Sequence, residues 1–294
     1  MRGRGPHGLS SSTLLLIPVA NGGQSKASAS DRYDRLRRFG LADFSRLAAK
    51  RVAVVGVGGI GALAAEIVAR AGVGRLALFD YDTLEAANLN RLVYRTSQLG
   101  QPKVEALKAH LADANPDARV DTYPYDVTNG RGYVSLMGEL DRADLVLGCV
   151  DTFGVRVFLN ARCVAARTPL IDGGASENGI NGSVHIVIPG KTPCYRCNRP
   201  AMKQDAVRTR RRDTTGVCAF ASLPTTMAIV ASLQCQEAFK VLLKFGKVAP
   251  LLLYNGLDGT LERVDWKRDP KCPTCGRRRK CPSRSSSRGP RTAR

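Results

Sequence analysis

Two apolar rhythms alternate along the first part of the chain. Short, nearly continuous apolar runs at 52–55, 76–79, 145–150 and 170–172 read as buried strands, with a mixed one at 120–125. Between them, 60–71, 104–114 and 155–166 carry helix-length amphipathic patterns. Strand and helix in alternation predict an α/β fold built on a doubly wound, mostly parallel sheet. Further on, 182–188 alternates like an antiparallel strand, 221–245 is one long and mostly apolar helix, and 251–254 and 260–266 read as late strands. Upstream, Tyr33, Leu36, Phe39, Phe44 and Leu47 predict an amphipathic helix over 31–50. Residues 190–222 are polar, rich in arginine and without a regular period, as expected of a crossover segment.

Composition adds boundaries. The chain has 294 residues, is 44% hydrophobic and carries a net charge of +20. Residues 1–30 hold three basic residues and no acid, and 277–294 hold eight and no acid, which leaves +9 for 31–276. A flexible leader (1–30), one globular unit (31–276) and a basic disordered tail (277–294) follow. The tail lacks the aromatics that would favour nucleic acid, and the arginine run at 208–212 reads as a solvated or partner-binding surface. The apolar run at 14–20 is too short to span a bilayer, so no membrane is implied. An odd count of nine cysteines with two CxxC pairs argues for a reducing compartment, hence the cytoplasm, with organelle targeting by the leader as the lesser alternative.

The first strand runs into Gly56-Val57-Gly58-Gly59-Ile60-Gly61, which fits GxGxxG at Gly56, Gly58 and Gly61. Such a turn brings backbone N–H groups and a helix N-terminus to a nucleotide phosphate, as in Rossmann-like folds. Asp80 ends the next strand, where a carboxylate can accept ribose hydroxyls. The loop alone does not choose between NAD and ATP. Downstream, Asp82, Asn88, Arg91 and Lys103 form an acid–NxNR–GxxK series foreign to dehydrogenases. Arg91 and Lys103 suit a polyphosphate, because they can neutralise a leaving pyrophosphate. Asp151, after the strand at 145–150, is placed to hold Mg²⁺ between protein and phosphates, or else to cap the next helix.

Two other constellations carry chemistry. Cys194 and Cys197, with Cys272 and Cys275, supply four thiolates for a closed, structural Zn²⁺ site. Of the cysteines outside these pairs, Cys149, Cys163 and Cys235 fall in apolar elements and read as inert. Cys218 follows a basic, glycine-containing run and precedes Ser222-Leu223-Pro224, a helix start with a capping hydroxyl and an early proline. Arginines and a helix N-terminus lower a thiol pKa, yet the residues alone leave Cys218 open between nucleophile and structural thiol. His7, His110 and His185 have no ligand or triad spacing.

The strings VVGVGGIGA, LFDYDTLEAANLNR, GQPKVEA and LVLGCVDTF resemble the E1-like activating superfamily. Within it, GVCAFASLPTTM, CYRC and CPTC are most similar to activating enzymes of the ubiquitin-fold modifier. The resemblance runs from about residue 31 to 275. It implies ATP contacts at Gly59, Asp80 and Lys103, phosphate contact at Arg91, Mg²⁺ or phosphate positioning at Asp151, and a nucleophile at Cys218. It further implies adenylation of a modifier's C-terminus, a thioester, transfer to an E2-like conjugating enzyme, and a homodimer. Two positions depart from the family: Thr152 and Asp126 stand where asparagine is common, and both are expected near the nucleotide. A sulfur-carrier or tRNA-modifying adenylyltransferase is the alternative of the same fold. An NAD-binding oxidoreductase or an inactive nucleotide-binding scaffold is the alternative from another class.

Overall fold

Strands β1 (Arg51–Val55), β2 (Arg75–Phe79), β3 (Arg119–Tyr123), β4 (Leu145–Gly148) and β5 (Leu170–Ala175) run parallel, and β6 (Gly182–Val187), β7 (Leu251–Asn255) and β8 (Thr260–Val264) continue the sheet antiparallel. This computed structural model describes residues 31–90, 93–197 and 221–276. The strand order is β3-β2-β1-β4-β5-β6-β7-β8, so the direction of winding reverses between β1 and β4. Ligands of open α/β sheets sit at such a reversal, outside the carboxyl ends of the strands.

Alternate residues along each central strand serve opposite layers. Val52, Val54, Leu76 and Leu78 pack with helices α2 (Gly59–Arg70), α3 (Lys103–Ala114) and the long α6 (Pro224–Leu243). Ala53, Val55, Ala77 and Phe79 face α4 (Gly130–Leu140) and α5 (Phe153–Ala166). Burial on both sides explains why β1 is apolar from Val52 to Val55. Gln234 of α6 locks that layer to the sheet, its amide donating to the carbonyls of Gly148 (3.0 Å) and Ile171 (2.8 Å).

The mostly parallel sheet expected from the sequence is present. One local expectation needs correction, and one helix was not expected at all. The helix expected over 31–50 is two short pieces, α1 (Asp34–Arg37) and a 3-10 turn (Phe44–Ala49), because the chain turns at Gly40 with φ +75°. The helix α4 was not foreseen: Gly130, Gly132 and Gly138 lower its helix propensity, although its apolar residues keep to one face. It forms because Leu136 and Leu140 are buried and Glu139 finds a partner: Glu139 receives Arg51 at 2.5 and 2.8 Å and the hydroxyl of Tyr123 at 2.7 Å.

Candidate functional site

The glycine turn lies at the carboxyl end of β1, and its glycines serve different needs. Gly56 has φ +85°, and a Cβ there would stand 2.6 Å from the carbonyl oxygen of Cys149. A Cβ on Gly61 would stand 1.8 Å from the Gly56 oxygen. Gly56 therefore lets the turn lie against the end of β4, and Gly61 lets it close on its own backbone. Gly58 differs, because a Cβ there meets nothing within 4 Å. The space outside Gly58 is open beside the N-terminus of α2, which begins at Gly59. A phosphate there would meet N–H groups and the positive end of the helix dipole.

Asp80 follows the last residue of β2 and holds this turn in place. Its Oδ2 accepts from the backbone N–H of Val57 at 2.8 Å and its Oδ1 from that of Asp82 at 3.0 Å. Burial pushes the Asp80 carboxyl up, against the opposing charge of Lys103 and these two N–H donors. From the other side, the buried Tyr94 donates its hydroxyl to the Val57 carbonyl at 2.7 Å. Tyr94 has no motif to mark it and was invisible in the sequence.

Lys103 begins α3, and only 8% of it is exposed. Its ammonium lies 2.7 Å from Asp82 Oδ2, and its N–H donates to the Asp82 carbonyl at 3.0 Å. The exposed phenol of Tyr81 is pushed up by partial burial and by the charges of Asp82, Asp151, Asp126 and Asp80. Carboxylates from three separate loops thus act on one ring at the carboxyl edge.

Several expected residues have more local tasks. Asp126 accepts from the N–H of Thr128 (2.8 Å), its hydroxyl (2.7 Å) and the Asn129 amide (3.0 Å), which shapes the turn into α4. Asn88 accepts from the Glu85 N–H at 3.1 Å within a 3-10 turn. Strand β4 ends at Gly148, so Asp151 lies in the following turn and not on the strand. Thr152, not Asp151, is the N-cap of α5, and its hydroxyl donates to Asp151 at 3.0 Å. Ser222 does not cap α6 either: Leu223 holds that position, and the Ser222 hydroxyl is buried with no hydrogen-bond partner. Arg91 and Cys218 lie outside the described residues.

The four cysteines of the two CxxC pairs come together. Their Sγ atoms all lie within 4.8 Å of one another, with Cys194 to Cys272 at 3.6 Å and Cys197 to Cys275 at 3.3 Å. A tetrahedral ion with bonds of about 2.3 Å to sulfur needs edges of about 3.8 Å, which this cluster matches. Burial pushes the Cys197 thiol up to about 11 and Cys194 higher still. Burial opposes the Cys272 thiolate too, but the N–H groups of Cys275 and Thr274 outweigh it and lower that thiol. The cluster joins the turn after β6 to the segment after β8, and Arg268 reinforces the join by donating to Gly190 O at 2.9 Å and to the Cys275 carbonyl. The other described thiols are poor nucleophiles: burial pushes Cys149 and Cys163 up to about 12, and Cys235 well above its usual range.

Residues 31–274 match the ThiF family. The chain is 39% identical over 271 residues to ubiquitin-like modifier-activating enzyme 5 of Oryza sativa subsp. japonica, covering 87% of this chain and 64% of that one. It is 38% identical to the enzyme of that name from Dictyostelium discoideum, covering 84% and 68%. The chain thus spans about two thirds of the length of these relatives. Among solved structures, E. coli MccB with ATP superposes at a TM-score of 0.71 with 23% identity, covering 84% of this chain and 74% of that one, a likeness of fold.

Proposed function

We propose, because the chain belongs to the ThiF family, that it activates a ubiquitin-like modifier with ATP, most specifically the ubiquitin-fold modifier. The observation that carries this reading is the carboxyl edge itself, where the open space at Gly58, the clamp at Asp80, the buried cation of Lys103 and the acid of Asp151 after β4 lie at the reversal of strand order, the place of the ligand crevice in open sheets. Gly56, Gly59 and Gly61 shape the phosphate cradle. Asp80 retains lone pairs for the ribose, and Thr152 and Asp126 flank the nucleotide.

The modifier's C-terminal carboxylate oxygen attacks the α-phosphorus of ATP, and the bond to pyrophosphate breaks. Lys103 and Arg91 neutralise the charge that grows on the leaving pyrophosphate. Mg²⁺, when bound, supplies Lewis-acid stabilisation of the phosphates. Among the described residues no carboxylate cage awaits it, so Asp151 would hold it together with phosphate oxygens. The Cys218 thiol then loses its proton, its sulfur attacks the acyl carbon, and AMP leaves as the thioester forms. Chain continuity supports Cys218: Ala221, three residues on, donates to the Glu177 carbonyl at 3.0 Å in the loop that follows β5 at this same edge. Three residues reach about 11 Å at most, which keeps the thiol near the crevice.

Zinc fits the four-cysteine cluster and would be structural there, since no ligand position stays open. An E2-like conjugating enzyme would receive the thioester, and a homodimer and cytoplasmic location complete the proposal. No helix among the described residues is long and apolar enough to cross a membrane. Modifier-dependent exchange of labelled pyrophosphate into ATP, run over a panel of ubiquitin-like proteins beside a non-reducing gel, tests the reading. Exchange with the ubiquitin-fold modifier and a thiol-labile adduct that Cys218→Ala removes is the expected result. Exchange without an adduct points to a carrier adenylyltransferase, and no exchange with any partner overturns the proposal.

A further inference from the structure

A buried polar relay runs from the four-cysteine cluster to the helix that borders the crevice. Tyr195 lies between the paired thiols Cys194 and Cys197 in one 3-10 turn. Its N–H donates to Asn160 Oδ1 at 3.2 Å, its ring packs on His185, and its hydroxyl donates to Asp172 Oδ2. That same oxygen receives Arg156 Nη1 at 2.5 Å, while Nη2 reaches the Gly173 carbonyl at 3.2 Å. The Asp172 side chain is fully buried, and Arg156 nearly so. Arg156 sits in the first turn of α5, where its N–H donates to the carbonyl of the N-cap Thr152 at 3.2 Å. The two bonds to Asp172 Oδ2 are short, and they put two donors, one of them cationic, on one oxygen.

We propose that Tyr195 and Asp172 are positioning residues that transmit the state of the cysteine cluster to the first turn of α5, and through it to Asp151 and Thr152. With the cluster closed on an ion, the Tyr195 turn is held and its hydroxyl stays on Asp172. Asp172 then holds the guanidinium of Arg156, and the N-terminus of α5 keeps its place. With the cluster open, the turn loses its tether, the relay slackens at Tyr195, and Arg156 is left against a carboxylate with one donor fewer. Contiguous hydrogen-bond networks of this kind carry coupling between the elements they join. The consequence for nucleotide affinity rests on the function proposed above. The consequence for α5 does not.

The test uses the full metal-loaded chain and Tyr195→Phe, which keeps the ring and removes the hydroxyl. Amide hydrogen exchange of residues 152–158 is measured with and without a chelator, alongside metal content and the dissociation constant for ATP. In the wild type, chelation should speed exchange in this turn about tenfold and weaken ATP about fivefold. Tyr195→Phe should retain its metal, show the faster exchange before chelation, and respond little to the chelator. Wild-type exchange in Tyr195→Phe, or a turn indifferent to metal removal in the native chain, overturns the proposal. Exchange that behaves as expected in a chain that binds no ATP upholds the relay and refutes the nucleotide-binding reading. Should Tyr195→Phe lose metal, Asp172→Asn gives the same contrast from the far side of the cluster.

Discussion

The ammonium of Lys103 sits 2.7 Å from Asp82 Oδ2 at the very start of α3. A cation at a helix N-terminus opposes the helix dipole, and little of this one reaches solvent. Asp82 stabilises it, being itself about half exposed and free to yield to a stronger anion. Lys103 is thus placed as the receptor of a polyphosphate that displaces Asp82. Lys103→Ala should leave thermal stability nearly unchanged and lower pyrophosphate exchange on the order of 100-fold. Asp82→Asn should cost far less, since it only frees the ammonium. Equal losses in the two variants would show that the pair acts structurally.

The glycines of the turn should separate by phenotype. Gly61→Ala forces a Cβ into the Gly56 carbonyl and is expected to destabilise by about 3 kcal/mol or more in urea unfolding. Gly58→Ala has φ −74° and open space, so the chain should fold as well as wild type but bind ATP poorly in titration calorimetry. Tight ATP binding by folded Gly58→Ala would place the phosphates elsewhere.

Glu139 should prove costly to remove despite its distance from the crevice. It is fully buried and accepts from Arg51, Arg142 and Tyr123. Glu139→Ala leaves the buried Arg51 guanidinium with the half-exposed Asp121 alone, at 2.7 Å, and should cost about 3 kcal/mol in equilibrium unfolding. Glu139→Leu with Arg51→Met should recover most of that loss, because the charges leave together.

His185 sets a pH dependence whose sign is fixed by its burial. Burial, and then the nearby charge of Arg156, depress the imidazole from 6.5 to about 3. Asp172 faces it as its cross-strand partner. The unfolded chain therefore binds the proton first as pH falls. The stability is whole above pH 6.5 and is lost progressively toward pH 3. Between pH 6.5 and about 5.5, the unfolding free energy of wild type should fall by about 1 kcal/mol more than that of His185→Phe. A pH-independent difference would mean that the folded imidazole titrates normally.

What could be read from residue order was local in origin. Apolar runs buried on both faces, the GxGxxG turn whose Gly56 needs a positive φ, and paired CxxC turns all state their physics within a dozen residues. They foretold the parallel sheet, its antiparallel continuation and the four-thiol cluster. Where local signals conflicted, the reading failed. Three glycines lower the helix propensity of α4, whose buried Glu139 finds its partner in Arg51, far away in sequence. Gly40 broke a stretch whose apolar spacing suggested one helix. Asp126 and Asn88 kept their place near the edge but spend their hydrogen bonds on turns. Only the strand order brought Asp80, Lys103 and Asp151 to one edge, and only packing joined Tyr195, Asp172 and Arg156, because direction and distance between side chains from different elements are set by how the layers close.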